Sequence, residues 1–236
     1  MLTPDLQTTA LPMVETAAQA FDRYQAFLAE GRLIQGGWHQ EQDGRQLACA
    51  LGVLGQEVSS SRDCPAQIMP RWLAQMVPWF FDGQTTEDAQ QWGLAFYAEL
   101  SRLNGVVPFS VIHDWHATVV GPIAIETAEK RGRKPEVHKA LAEMQFAALT
   151  GKKYTADEWR PVLKAAFFDA YADAYADANA YADAYAYAYA DAYADAYAYA
   201  DAYAYAYADA NANARQVVIS RLANGMVECL KRVEVA

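Results

Sequence analysis

Residues 169–214 read DAYADAYADANAYADAYAYAYADAYADAYAYADAYAYAYADANANA, with Ala at every even position and Tyr, Asp or Asn at every odd one. A period of two suits a β-strand on first reading. A strand of this length needs turns, and the stretch holds no Gly, no Pro and no Asn-Gly pair. Ala and Asp also disfavour strands, whereas Ala is the strongest helix former. A second period decides between the two. Displacing the segment by 18 residues lays Tyr171, Asp173, Tyr175 and Asp177 on Tyr189, Asp191, Tyr193 and Asp195. It also lays Tyr181, Asp183 and Tyr185 on Tyr199, Asp201 and Tyr203, and Tyr189 on Tyr207. Eighteen residues make five turns at about 3.6 residues per turn, so each side chain returns to its own helical face. With Tyr171 at zero, Tyr175, Tyr181 and Tyr185 fall near 40°, 280° and 320°, at about 100° per residue. Asp173, Asp177 and Asp183 fall at about 200°, 240° and 120°. The array therefore predicts one long amphipathic helix with a Tyr/Ala side and an acidic side, and Tyr187 as its misfit.

Upstream, Thr155-Ala-Asp-Glu158 is a capping box, with Trp159 and Pro161 in the first helical turn. No Gly or Pro occurs from Val162 to Asn224. A continuous helix over that span would reach about 95 Å, at ~1.5 Å per residue. A compact chain of this length has a radius of gyration of only about 17–18 Å. The element must protrude, break into a hairpin or lie along a partner. Downstream, RQVVISRLANGMVECLKRVEVA restores helical spacing through Val218, Ile219, Leu222, Val227 and Leu230, with a turn expected at Asn224-Gly225.

The sequence before the array reads as short helices separated by Gly and Pro. The first covers 13–30, with Val14, Ala17, Phe21 and Leu28 on one side and Gly31 as its stop. Gly36 and Gly37 form a loop into Trp38, and Gln46–Leu54 reads as a short buried helix closed by Gly55. Asp63 and Pro65 open a helix that turns Ile68, Trp72 and Met76 inward. Thr85 and Asp88 cap another, through Trp92, Phe96, Leu100 and Leu103 to Asn104-Gly105. Residues 107–130 are rich in β-branched side chains, and Pro122 interrupts any helix there. Pro135 begins a helix through Val137, Leu141, Met144 and Leu149 that Gly151 closes. The fold class is mainly α: a helical domain over 1–154, a long capped helix over 155–214 and a short helical segment over 215–236.

The net charge of −10 is uneven. Residues 1–164 hold 15 Lys/Arg against 19 Asp/Glu, and residues 165–214 hold none against 8. The last segment holds 4 against 2. Such an acidic array repels phosphate, which argues against direct nucleic-acid binding. No apolar run approaches the ~20 residues of a membrane helix, and the first residues carry no secretory signal pattern. Three cysteines (Cys49, Cys64 and Cys229) without a CxxC pair suit reduced thiols. The expectation is a cytoplasmic protein without a membrane partner.

His113-Asp114-Trp115-His116 is the tight polar cluster of the first segment. On a helix the two histidines share a face at a spacing that metals use, but His39, Cys64 and His138 lie scattered and offer no third ligand. The plain alternative is a pair of partly buried imidazoles. Cys49 could serve as a nucleophile, although its apolar neighbours argue for an inert buried thiol. Lys130-Arg131-Gly132-Arg133-Lys134 reads as a solvated basic loop, or as a dock for an acidic helix. No phosphate-binding, zincin, hydrolase or zinc-finger motif is present in the sequence. No cofactor is expected.

Gly36-Gly37-Trp38 followed by Ala48-Cys49-Ala50-Leu51-Gly52-Val53-Leu54-Gly55 resembles a short signature of uncharacterised small proteins of phages and bacterial genomes. The Ala-rich run with aromatic and Asp residues resembles the C-terminal arrays of phage or prophage proteins. Those relatives space their aromatics by three and four, where this chain alternates by two. The resemblance implies a phage or mobile-element origin and carries no established function.

Three functions are compatible with these features. The leading one is a non-enzymatic assembly protein. It would associate with itself or a protein partner through Tyr171, Tyr175, Tyr181, Tyr185, Tyr189, Tyr193, Tyr199, Tyr203 and Tyr207. Asp173, Asp177, Asp183, Asp191, Asp195 and Asp201 would form the solvated face. The second is an acidic mimic of nucleic acid that occupies a host protein. The third is a small metal-dependent enzyme using His113, Asp114 and His116.

Overall fold

A computed structural model describes residues 11–171 and 212–235. The described residues are mainly helical, with a single two-stranded sheet among them. No helix among them is long and apolar enough to cross a membrane. Contacts divide them into two compact units, one ending at Val107 and rejoined at Val233, the other running from Pro108 to Arg232. The helices from Ser110 to Leu149 thus group with the last helix of the chain, whereas the sequence reading placed everything up to residue 154 in one domain.

The first unit holds α1 (Ala17–Ala29), β1 (His39–Gln42), β2 (Arg45–Ala48), α2 (Arg71–Asp82) and α3 (Thr86–Arg102). Thr16 caps α1 by accepting from the Gln19 amide, and Gly31 follows it with φ of 62°. The buried stripe of α1 is Ala17, Ala20, Tyr24 and Phe27, turned slightly from the expected one. Tyr24 fixes the crossing with α3: its hydroxyl donates to the Gln90 carbonyl at 3.1 Å and fills the space left by Gly93. A Cβ on Gly93 would stand 2.1 Å from that hydroxyl oxygen. Trp92, Phe96 and Leu100 of α3 are buried as the sequence predicts, and Tyr97 is buried beside them. Thr85 caps α3 through the Asp88 amide, and Asn104-Gly105 ends it with both residues at positive φ.

Two expectations for this unit need correction. Gln46–Leu54 is not a helix. Its first residues belong to β2, paired antiparallel with β1, and a 3-10 turn follows at Gly52–Leu54. The signal for the hairpin is Asp43-Gly44 between the strands, both at positive φ, the chemistry of a primed two-residue turn. Burial of Leu47 to Leu54, read correctly from the apolar run, does not distinguish a strand from a helix. Asp63 closes a 3-10 turn rather than opening a helix, and α2 starts only after Pro70. Ile68, Trp72 and Met76 are nevertheless buried.

The second unit holds α4 (Ser110–Trp115), α5 (Gly121–Lys130), α6 (Glu136–Leu149), α7 (Ala156–Tyr171) and α8 (Ala212–Lys231). A single π turn, His116–Val120, joins α4 to α5. That turn explains why Pro122 does not interrupt the helical path. The Gly121 amide donates five residues back to the His116 carbonyl, and Pro122 falls in the first turn of α5, where no amide proton is required. β-Branched content alone predicts the wrong state here, because burial of Val111, Ile112, Val120 and Ile123 against neighbouring helices outweighs propensity.

The capping box of α7 is reciprocal: Thr155 Oγ1 accepts from the Glu158 amide at 3.4 Å, and Glu158 Oε2 accepts from the Thr155 amide at 2.7 Å. At the other end of the chain the expected turn at Asn224-Gly225 is absent, and α8 runs straight through it. Gly225 serves close packing instead. A Cβ there would lie 2.4 Å and 2.7 Å from the two γ-methyls of Val119 in the π turn. One turn away the Trp115 indole N–H donates to the Leu222 carbonyl at 2.9 Å. Ile219, Leu222, Ala223 and Met226 complete the buried face of α8.

Candidate functional site

The polar cluster of α4 and the start of the array are both built in the second unit, and the structure gives them different neighbours. His113 is half-buried. Its Nδ1 lies 2.6 Å from Gln145 Oε1 on α6, and its ring lies parallel to that of Trp159 on α7, centroids 6.0 Å apart. Phe109 packs edge-on against the same imidazole. Asp114 turns to the C-terminal side: Arg232 Nε donates to its Oδ2 at 2.8 Å, and Thr118 Oγ1 sits 3.3 Å from Oδ1. His116 enters the core at 2% exposure, its ring perpendicular to Trp115. The two histidines thus have different aromatic neighbours, Phe109 and Trp159 for His113 and Trp115 for His116. Among the described residues no three His, Cys, Asp or Glu side chains gather as a metal site.

All three thiols are free. Burial pushes the Cys49 thiol up, against weaker opposing hydrogen bonds from backbone amides. Burial likewise raises Cys64 and Cys229, each to about 12. None has the lowered pKa of a nucleophilic cysteine.

The array is anchored where it begins. Asp169, its first acidic residue, lies on the last turns of α7 and is held by two residues of the preceding segment. Arg133 NH1 donates to the Asp169 backbone carbonyl and stands 3.5 Å from Oδ2. His138 Nε2 lies 2.8 Å from the same carboxylate oxygen, with the imidazole fully buried. Burial depresses the His138 pKa, and the Asp169 carboxylate opposes that shift. Arg133 of the basic run thus pairs within its own chain with the head of the acidic array. Lys130 and Lys134 are exposed, as a solvated loop predicts, while Arg133 meets the acidic segment of its own chain.

Tyr171 ends α7. Tyr175, Tyr181, Tyr185, Tyr189, Tyr193, Tyr199, Tyr203 and Tyr207 lie outside the described residues, as do Asp173, Asp177, Asp183, Asp191, Asp195 and Asp201. The expected continuity of the long helix falls there too. Both flanks of this stretch, α7 and α8, belong to the second unit. No known protein family, no curated protein and no solved structure matches the chain.

Proposed function

We propose that the protein is a non-enzymatic assembly component that associates with copies of itself through the tyrosine side of the 169–214 array. One observation carries the reading: on a helix the 18-residue recurrence would keep most of the tyrosines on one side and the carboxylates on the other over about two and a half repeats. Tyr beside Ala offers large knobs next to small holes, the relief that close helix packing uses. The carboxylates beyond Asp169 would keep the opposite side in water and limit how closely copies approach. The anchoring of Asp169 by Arg133 and His138 supports this reading, because an assembly element transmits position only when its root is fixed.

The test is solution mass by size-exclusion chromatography with light scattering. The wild-type chain is expected at a multiple of 26.1 kDa. Joint replacement of Tyr175, Tyr185, Tyr193 and Tyr203 by Ser is expected to return it to the monomer. An oligomer that survives the four replacements places the interface elsewhere, and a monomeric wild type removes self-association altogether.

A further inference from the structure

At the root of the array one carboxylate oxygen serves two partners. Asp169 Oδ2 lies 2.8 Å from His138 Nε2 on α6 and 3.5 Å from Arg133 Nη1 in the loop ahead of α6. The imidazole is fully buried, while the arginine and aspartate side chains are 18% and 24% exposed. Apolar contact is partial at this end of α7: Ala166 is buried, and Phe167 and Phe168 are half-buried. The polar cluster therefore carries part of what fastens the last turns of α7 to α6.

A carboxylate only accepts, so the neutral imidazole donates its Nε2 proton to Asp169, and a second proton goes to Nδ1. The Arg133 guanidinium already balances the Asp169 charge. An imidazolium formed in the closed cluster is thus a second cation on one carboxylate, in a place sealed from water. Burial opposes that charge first, the guanidinium adds to the opposition, and the Asp169 carboxylate only partly offsets them. The other ionisable groups on elements packed against α6 have other neighbours. His113 meets Gln145, Asp114 meets Arg232 and His116 packs on Trp115. On α5, Glu126 and Lys130 pair with each other and Glu129 is exposed.

We propose that Arg133, His138 and Asp169 form a proton-operated latch, in which proton uptake by His138 releases the last turns of α7 from α6 and frees the root of the array. Once those turns lift, the imidazole meets water, and the imidazolium is solvated instead of buried. The closed state binds the proton less readily than the open one. The latch therefore holds above the ordinary histidine value of about 6.5 and loosens as pH falls below it. One proton per opening limits the effect to roughly tenfold per pH unit. Ordinary carboxylates, at about 3.9 to 4.3, stay ionised through this window. The latch concerns the root alone and stands whether or not the tyrosine side assembles.

Hydrogen exchange of the full chain, followed by mass spectrometry at pH 7.5 and 5.5 and normalised to the intrinsic rate at each pH, tests the latch. Peptides covering 163–171 are expected to lose protection by about threefold or more at pH 5.5. That loss should be insensitive to sub-denaturing urea, the mark of a local opening, whereas the buried centre of α8 exchanges by a urea-dependent route. His138→Gln keeps a donor for Asp169 but takes up no proton, and its 163–171 protection is expected to be equal at both pH values. If that variant does not fold, Arg133→Gln replaces it. With the competing cation gone the imidazolium has the carboxylate to itself, and the pH response is expected to shrink by about twofold or more. Protection of 163–171 that is unchanged or greater at pH 5.5 overturns the proposal. So does a loss with the urea dependence of α8, which is unfolding of the whole unit, or one that persists undiminished in the variant.

Discussion

Replacing Gly225 by Ala sets two effects of opposite sign against each other in α8. Gly→Ala in a helix interior gains about 0.8–1.0 kcal/mol from propensity alone. Against this, the new methyl would stand 2.4 Å and 2.7 Å from the γ-methyls of Val119, and 3.1 Å from its Cβ. Because both methyls are in the way, rotating the stiff β-branched side chain clears one contact only by keeping another. Relief requires α8 and the π turn to separate, and the Trp115 to Leu222 hydrogen bond at 2.9 Å resists that shift. Overpacking of this kind costs about 1–3 kcal/mol. Steric cost therefore offsets or outweighs propensity, for a net loss of up to about 2 kcal/mol, or up to roughly 8 °C in melting temperature for a unit of this size. Thermal melts followed by circular dichroism measure it. Val119→Ala in the same chain should recover most of the loss, giving a coupling of about 1 kcal/mol in the double-mutant cycle. A Gly225→Ala protein that melts higher than wild type, or a cycle without coupling, would refute the close approach of α8 to the π turn.

Two further outcomes follow from the same unit. With the His138 pKa depressed by burial, the unfolded chain takes up a proton that the folded one resists, so stability is lost as pH falls below the ordinary histidine value of about 6.5; melting curves at pH 7.5 and 5.5 should show this drop shrinking in His138→Gln. Trp115→Phe removes a buried indole and its hydrogen bond to Leu222, and should cost about 1–3 kcal/mol in chemical denaturation with α8 exchanging its amides faster.

Much of the fold is legible where local chemistry decides it. Thr85 and Thr155 carry side-chain oxygens at the right offset to satisfy helix N-terminal amides, and both are caps in the structure. Gly31, Asn104-Gly105 and Gly151 end helices because each adopts positive φ there. The hairpin was equally legible in Asp43-Gly44, but the long apolar run beside it suggests a helix unless the turn is weighed first. The candidate site was less legible. Adjacency of His113, Asp114 and His116 in the chain says nothing of their partners, and Gln145, Arg232 and Trp115 come from remote or differently turned positions.

Pattern and composition determine a mainly helical chain and its capped helix starts. Tertiary packing decides the rest. Asn224-Gly225 has the composition of a turn yet lies inside α8, because a missing side chain lets two helices approach where a turn would expose apolar surface. Pro122 has the composition of a break yet sits in a continuous helical path, because a π turn ahead of it absorbs the missing amide. Asp169 reads as one carboxylate among many, and only the fold brings Arg133 and a buried His138 to it. Local chemistry fixes what each residue can do at its own position, and the contacts that choose among those options come from residues far along the chain.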